Sequence, residues 1–112
     1  MAGPVPQISV QEVKSKLDNG EDVFLLDVRT PGEYEVAHIE GSHLFPMDEI
    51  PTRLDELRDA IQSRPVITIC HHGVRSHNVA AALLEREFND VSSMSRGIDA
   101  WSLEIDDSVP RY

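Results

Sequence analysis

Two short apolar runs, Val23-Phe24-Leu25-Leu26 and Val66-Ile67-Thr68-Ile69, set the frame of this chain, and Val91 to Met94 reads as a short third strand. The first shows no polar alternation, which suits a strand buried on both faces of a parallel sheet. The second is rich in β-branched residues and reads the same way. Around these runs apolar residues recur at helical spacing: Val10, Val13 and Leu17, then Leu54, Leu57 and Ile61, then Val79, Ala80, Leu83, Leu84 and Phe88. Ser9-Val10-Gln11-Glu12 is a capping box that opens the first helix, and Gly20 ends it. Thr30-Pro31-Gly32-Glu33 repeats the pattern with proline at the first helical position, so a short helical turn is expected there. Met47 to Gln62 reads as an amphipathic helix after Pro51, with Arg53, Asp55, Glu56, Arg58 and Asp59 on its solvated face. Gly97 to Glu104 closes the pattern as a short helix carrying Trp101.

Strands alternating with helices predict an α/β fold: a small, mainly parallel sheet flanked by helices on both sides. One domain over residues 1–112 is expected, with Met1 to Gln7 as a loose arm and Ile105 to Tyr112 as a surface tail.

Composition narrows the partners. Ten basic residues against twenty acidic ones give a formal charge of −10. That balance argues against nucleic acid and against an anionic membrane. Any anion site must also be locally positive against an unfavourable global field. No apolar run reaches membrane-spanning length, and the first residues carry no signal-peptide pattern. A single cysteine cannot form an intramolecular disulfide, so a reducing, cytoplasmic setting is expected.

That cysteine carries the chemistry. Cys70-His71-His72-Gly73-Val74-Arg75-Ser76 follows an apolar strand and leads into the helical stretch from Asn78. Strand, tight loop and helix aim backbone N–H groups and a helix N-terminus at one point. Gly73 permits the positive φ that a tight loop needs. Arg75 adds a permanent positive charge, and Ser76 is placed as the N-cap of the following helix. Positive charge and N–H donors both favour a thiolate, the nucleophilic form of cysteine. The competing reading is a buried structural cysteine at a strand end. Asp27 and Arg29 stand at the carboxyl end of the first buried strand, where open α/β sheets place their sites. By themselves they read as an ion pair that holds loops together, with Glu33 as a further partner. His38, His43, His71, His72 and His77 show no zinc-site spacing and read as loop-lining or structural; no metal is expected.

Cys-x-x-Gly-x-Arg-Ser after a hydrophobic strand resembles the active-site loop of rhodanese-type sulfurtransferases. Asp27 to Ser42 resembles that family's upstream signature, and Gly97-Ile98-Asp99-Ala100-Trp101 a third one. The stretch Trp101 to Tyr112 resembles rhodanese domains joined to adenylyltransferases that sulfurate ubiquitin-like carriers. The resemblance implies a mostly parallel sheet with the cysteine loop at the carboxyl end of its central strand. It implies a sulfurtransferase without cofactor, in which Cys70 takes sulfur from thiosulfate or another donor as a persulfide. Cyanide, a thiol or a ubiquitin-like carrier then accepts it. His71, His72, Gly73, Val74, Arg75 and Ser76 would surround the substrate, Arg75 holding the anionic donor, while Asp27 and Arg29 brace the rim. Ala37, Ser42, Leu44, Glu87 and Arg96 depart from the residues usual in that family, three of them (Ala37, Glu87 and Arg96) from glycine.

Two other functions remain open on the residues. A cysteine phosphatase or arsenate reductase also uses a cysteine in an anion-cradling loop. Here four residues separate Cys70 from Arg75, one fewer than in Cys-x-x-x-x-x-Arg phosphatases. A non-catalytic rhodanese-like module that binds a partner protein is the third reading, against which Cys70 and Arg75 both count.

Overall fold

The computed structural model describes residues 4–112. Five strands, all parallel, form one sheet: β1 (Gln7–Ile8), β2 (Phe24–Asp27), β3 (His43–Leu44), β4 (Val66–Ile69) and β5 (Val91–Met94). Their order across the sheet is β1-β5-β4-β2-β3, so β4 is central. The helices are α1 (Val10–Asp18), α2 (Pro31–Val36), α3 (Leu54–Ile61), α4 (Val74–Glu85) and α5 (Gly97–Glu104).

The unbroken apolar runs are explained by burial on both faces. Phe24, Leu26 and Val66 face Leu57 and Ile61 of α3 and Val79, Ala80 and Leu83 of α4. Leu25, Ile67 and Ile69 face Val10 and Val13 of α1 and Ile98, Ala100 and Trp101 of α5. At eight residues, α3 is too short to persist alone. Burying one Leu or Ile side chain contributes roughly 1.5–3 kcal/mol, and α3 buries Leu57 and Ile61 completely or nearly so. Tertiary packing therefore holds it.

The structure departs from the sequence pattern in four places. Two strands, β1 and β3, were not expected. Each is two residues long, too short to show any period. Of the expected loose arm, Met1 to Gly3 lie outside the described residues, and Gln7 at its end pairs with Ser93. The expected helix over Met47 to Gln62 is split into a 3₁₀ segment, Met47–Thr52, and α3. Pro51 has no N–H to donate and restricts Ile50 before it, so a regular α-helix starts only beyond Arg53. Finally, α4 starts at Val74 with Gly73 as its cap residue, so Ser76 is inside the first turn and is not the N-cap.

The Thr30 capping box forms in full, Thr30 N donating back to Glu33 Oε1 at 3.2 Å, whereas at Ser9 only the N-cap half of the expected box forms. Ser9 Oγ accepts from Glu12 N at 3.1 Å, and Thr30 Oγ1 accepts from Glu33 N at 3.3 Å. Asp106 to Ser108 of the tail are exposed, but the chain returns to the cysteine loop at Tyr112. Among the described residues no helix is long and apolar enough to cross a membrane.

Candidate active site

Cys70 directly follows β4, at the carboxyl end of the central strand. Gly73, at φ +106°, turns the chain from the strand into α4. Its N–H donates to Cys70 Sγ at 3.0 Å. The Cβ that any other residue would add at Gly73 lies 3.1 Å from Arg96 N, so the turn is tight as well as left-handed. The residue Cys70 is 1% exposed and sits at the floor of this loop.

Its sulfur has a second polar neighbour. The thiol donates to Ser76 Oγ at 3.4 Å, and Ser76 Oγ is 2.8 Å from Ser93 Oγ and 3.2 Å from Gly73 O. Thr68 Oγ1 donates to Ser76 O at 2.9 Å. Thr68, Ser76 and Ser93 are all fully buried. A hydroxyl can accept from a thiol and donate to a thiolate, so this chain serves both states of the sulfur. Ser93 carried no sequence signal, because a serine in a strand is ordinary until its neighbours are known. The N–H groups of Val74, Arg75 and Ser76 form the first turn of α4, where no carbonyl lies one turn back to bond them. They make that end of the helix a favourable place for negative charge.

The loop is shaped from behind by α5. Ile98 N donates to Cys70 O at 2.8 Å and Asp99 N donates to His71 O at 3.1 Å. The orphan N–H groups of α5 thus take up the loop carbonyls of Cys70 and His71. Arg96, at φ +64°, is the cap residue that makes this approach.

Asp27 and Arg29 form a buried pair beside the loop. Arg29 Nε and Nη2 donate to Asp27 at 2.9 and 2.7 Å, and Nη2 also donates to Ala37 O at 2.6 Å. Burial opposes the charge on Arg29, but Asp27 and Tyr112 together outweigh it and hold the guanidinium above its ordinary pKa. Arg29 Nη1 donates to Tyr112 Oη at 2.8 Å.

Arg75 was expected to present a free fork to an anion. Instead its Nη1 and Nη2 donate to Glu33 Oε1 and Oε2 at 2.7 and 2.9 Å. The reason lies in the capping box of α2: Glu33 Oε1 also accepts from Thr30 N and Oγ1, which fixes the carboxylate opposite α4. Tyr112 Oη donates to Glu33 Oε2 at 2.7 Å. The Arg75 guanidinium, against a smaller effect of burial, holds the Glu33 carboxyl well below the usual carboxylate range. Glu33 in turn raises the Arg75 pKa, with Cys70 and Tyr112 adding smaller attractions.

His71 stacks on Tyr112 at 4.0 Å and on His72 at 3.9 Å between ring centroids. Burial, then the neighbouring His72, lowers the His71 pKa, so the ring favours its neutral form. His71, His72 and Asp99 are the one group among the described residues whose ligand atoms lie within 4.8 Å of one another. Asp99 is already engaged by Arg111 Nε at 2.9 Å. The other histidines are apart from it: His38 bonds Tyr34 O, His43 stacks on Phe24, and His77 contacts Gln7. The loop residues Cys70 to Ser76 are thus gathered at one point with Asp27 and Arg29 behind them, and Glu33, Ser93 and Tyr112 complete the surroundings.

Comparison with known proteins agrees with this geometry. Residues 9–104 match the profile of the Rhodanese-like domain. The chain is 35% identical over 104 residues to the thiosulfate sulfurtransferase GlpE of Pseudoalteromonas translucida, covering 93% of this chain and 95% of that protein. It is 32% identical over 105 residues to the probable adenylyltransferase/sulfurtransferase MoeZ of Mycobacterium tuberculosis, covering 94% of this chain and 26% of that one. The chain spans about half or less of several curated relatives that it matches. A crystal structure of a rhodanese-like domain protein from Staphylococcus aureus superposes with a TM-score of 0.76 at 30% identity, covering 96% of this chain and 99% of that one.

Proposed function

Because this chain belongs to the rhodanese-like domain family, we propose that it is a sulfurtransferase working through a Cys70 persulfide. The observation that carries this reading is the Cys70 sulfur on the floor of a loop at the end of the central strand, with Gly73 N at 3.0 Å and the N-terminus of α4 beside it. A thiolate there attacks the sulfane sulfur of a donor. With thiosulfate, the new S–S bond forms on Cys70 as the S–S bond of the donor breaks, and sulfite departs with the electron pair. With an organic persulfide the leaving group is the parent thiolate. An acceptor then attacks the outer sulfur of the persulfide and returns Cys70 as thiolate: cyanide leaves as thiocyanate, a thiol as a new persulfide. N–H groups of the loop and of α4 favour the negative charge on sulfur in both steps.

A ubiquitin-like carrier acceptor fits the likeness to an adenylyltransferase/sulfurtransferase. A cytoplasmic, reducing setting fits a chain whose only cysteine is the nucleophile. The phosphatase reading is weaker, since the Arg75 fork is already held by Glu33 and the loop offers no carboxylate as general acid.

Intact-mass analysis tests the proposal. Wild-type protein treated with thiosulfate or cysteine persulfide should gain the mass of one sulfur, which cyanide or a thiol reductant removes. Cys70→Ser should gain none while keeping its fold. A sulfur adduct in that variant, or rapid aryl-phosphate hydrolysis with no adduct in wild type, would overturn it.

A further inference from the structure

Four arginines stand on the elements that frame Cys70, and each faces a carboxylate. Arg29 pairs with Asp27 at 2.7 Å, Arg75 with Glu33 at 2.7 Å, Arg96 with Glu104 at 2.5 Å and Arg111 with Asp99 at 2.9 Å. The nearest histidine, His71, favours its neutral form because of burial. The site therefore offers an approaching anion N–H donors and a helix N-terminus, but no unpaired guanidinium from these four residues. The chain as a whole carries −10. A helix terminus contributes only about 0.3–1 kcal/mol toward an anion at an exposed site. A dianion such as thiosulfate is thus poorly served, whereas a donor of lower charge loses little.

Space points the same way. Beside the loop, on the side of His72 and Gly73, lies an open hollow of about 360 Å³. Gln7, His77 and Asn78 line it, with Arg96 at its edge tied to Glu104. Gly73, whose N–H donates to Cys70 Sγ, lines this hollow. This hollow has room for the body of an organic donor, and the one guanidinium that lines it, that of Arg96, is tied to Glu104.

We infer that Glu33 is a specificity-determining residue: by occupying the Arg75 fork it turns the site away from dianionic donors and toward organic persulfides of at most single charge. This rests on the sulfurtransferase reading above. Glu33 works by withholding a cation, a device that lowers affinity for the wrong donor without touching the right one. Its carboxylate is fixed for the task by Thr30, Arg75 and Tyr112 together. The step served is the attack of the Cys70 thiolate on the outer sulfur of R–S–SH. One S–S bond forms, one breaks, RS⁻ leaves, and the proton stays with the transferred sulfur or passes to solvent.

The test compares rates of sulfur loading onto Cys70 from thiosulfate and from cysteine persulfide, followed by mass. Wild type should load faster from the persulfide. Added salt should speed thiosulfate loading, because it screens repulsion, and leave the persulfide rate nearly flat. Glu33→Gln keeps the size of the side chain but releases the guanidinium charge, so the ratio of thiosulfate to persulfide kcat/KM should rise about tenfold, mainly through the thiosulfate KM. Adding Arg75→Gln to that variant should remove the gain, which a merely structural role of Glu33 would not predict. Faster thiosulfate loading in wild type that salt suppresses would overturn the inference, as would a ratio unmoved by Glu33→Gln. The salt series needs no variant, and salt-suppressed thiosulfate loading overturns the inference even if Glu33→Gln folds poorly. No adduct from either donor would instead overturn the sulfurtransferase reading itself, and this inference with it.

Discussion

Gly97 lies so close to Cys70 that a Cβ built on Gly97 would be 2.5 Å from the Cys70 carbonyl oxygen. The following N–H, of Ile98, donates to that same oxygen at 2.8 Å. The helix α5 is thus seated directly on the backbone of the cysteine loop, and only a residue without a side chain lets it approach.

Gly97→Ala should therefore both destabilise the protein and displace the loop. Gly97 has φ +65°, so the substitution adds backbone strain to the clash. Overpacking and the strained backbone together should cost about 3 kcal/mol or more in urea unfolding. Sulfur loading of Cys70 should fall with it. Gly20→Ala is the control: φ is +73° but nothing lies within 4 Å, so it should cost about 1–2 kcal/mol and leave loading intact. Equal losses from the two variants would mean that the Gly97 contact is unimportant.

Glu87 and Arg96, two positions where the resemblance implies glycine, are held at φ 65° and 64°, in the left-handed region. Glu87→Gly should stabilise the protein by about 0.5–1 kcal/mol, part of the relief being offset by the greater freedom of the unfolded chain. Arg96→Gly should gain less, because it also gives up the pair with Glu104. Thermal melts of the two single variants rank them; a lowered melting temperature for Glu87→Gly would contradict the strain argument. Ala37, the third departure from glycine, is at φ −158° and needs none.

Removing one member of the Asp27–Arg29 pair leaves the other charge buried, as both residues are fully enclosed. Asp27→Asn or Arg29→Met should each cost about 3–5 kcal/mol. The double variant should cost less than the sum, since no orphan charge remains. Strict additivity in chemical denaturation would show that the two side chains act independently.

Burial and the Glu33 carboxylate push the Tyr112 phenol up to about 12, although Arg29 pulls the other way. A phenol harder to ionise in the fold than in the unfolded chain contributes its stability fully below about pH 10. That contribution is lost as pH rises towards about 12. The tyrosinate absorbance of wild type minus that of Tyr112→Phe should show a midpoint near 12. A midpoint at the ordinary 10.0 would mean that the tail does not rest on Arg29 and Glu33 in solution.

Much of the fold was legible because local rules and tertiary demand coincide here. The bounds of the closing helix, Gly97 to Glu104, and of the strands Val66–Ile69 and Val91–Met94 match the sequence reading, the first strand being an almost wholly apolar, β-branched run that the core then uses. The N-cap bonds of Ser9 and Thr30 are local by nature, closing over three residues. The nucleophile, its loop and the two-sided burial of the strands were legible for the same reason: each is written in consecutive residues.

What only the tertiary structure decided is where partners distant in sequence meet. The partner of Arg75 is Glu33, 42 residues away, and Tyr112 reaches Glu33 across 79. Sequence suggested Glu33 for the Asp27–Arg29 pair; in the fold its carboxylate takes the other arginine, because the Thr30 capping box turns it that way. Ser93 meets Ser76 only because β5 lies beside β4. Sequence determined which groups this protein owns and in what local conformation. The charge left over at the sulfur was settled by packing, since an ion pair depends on distance in space and a linear pattern carries none.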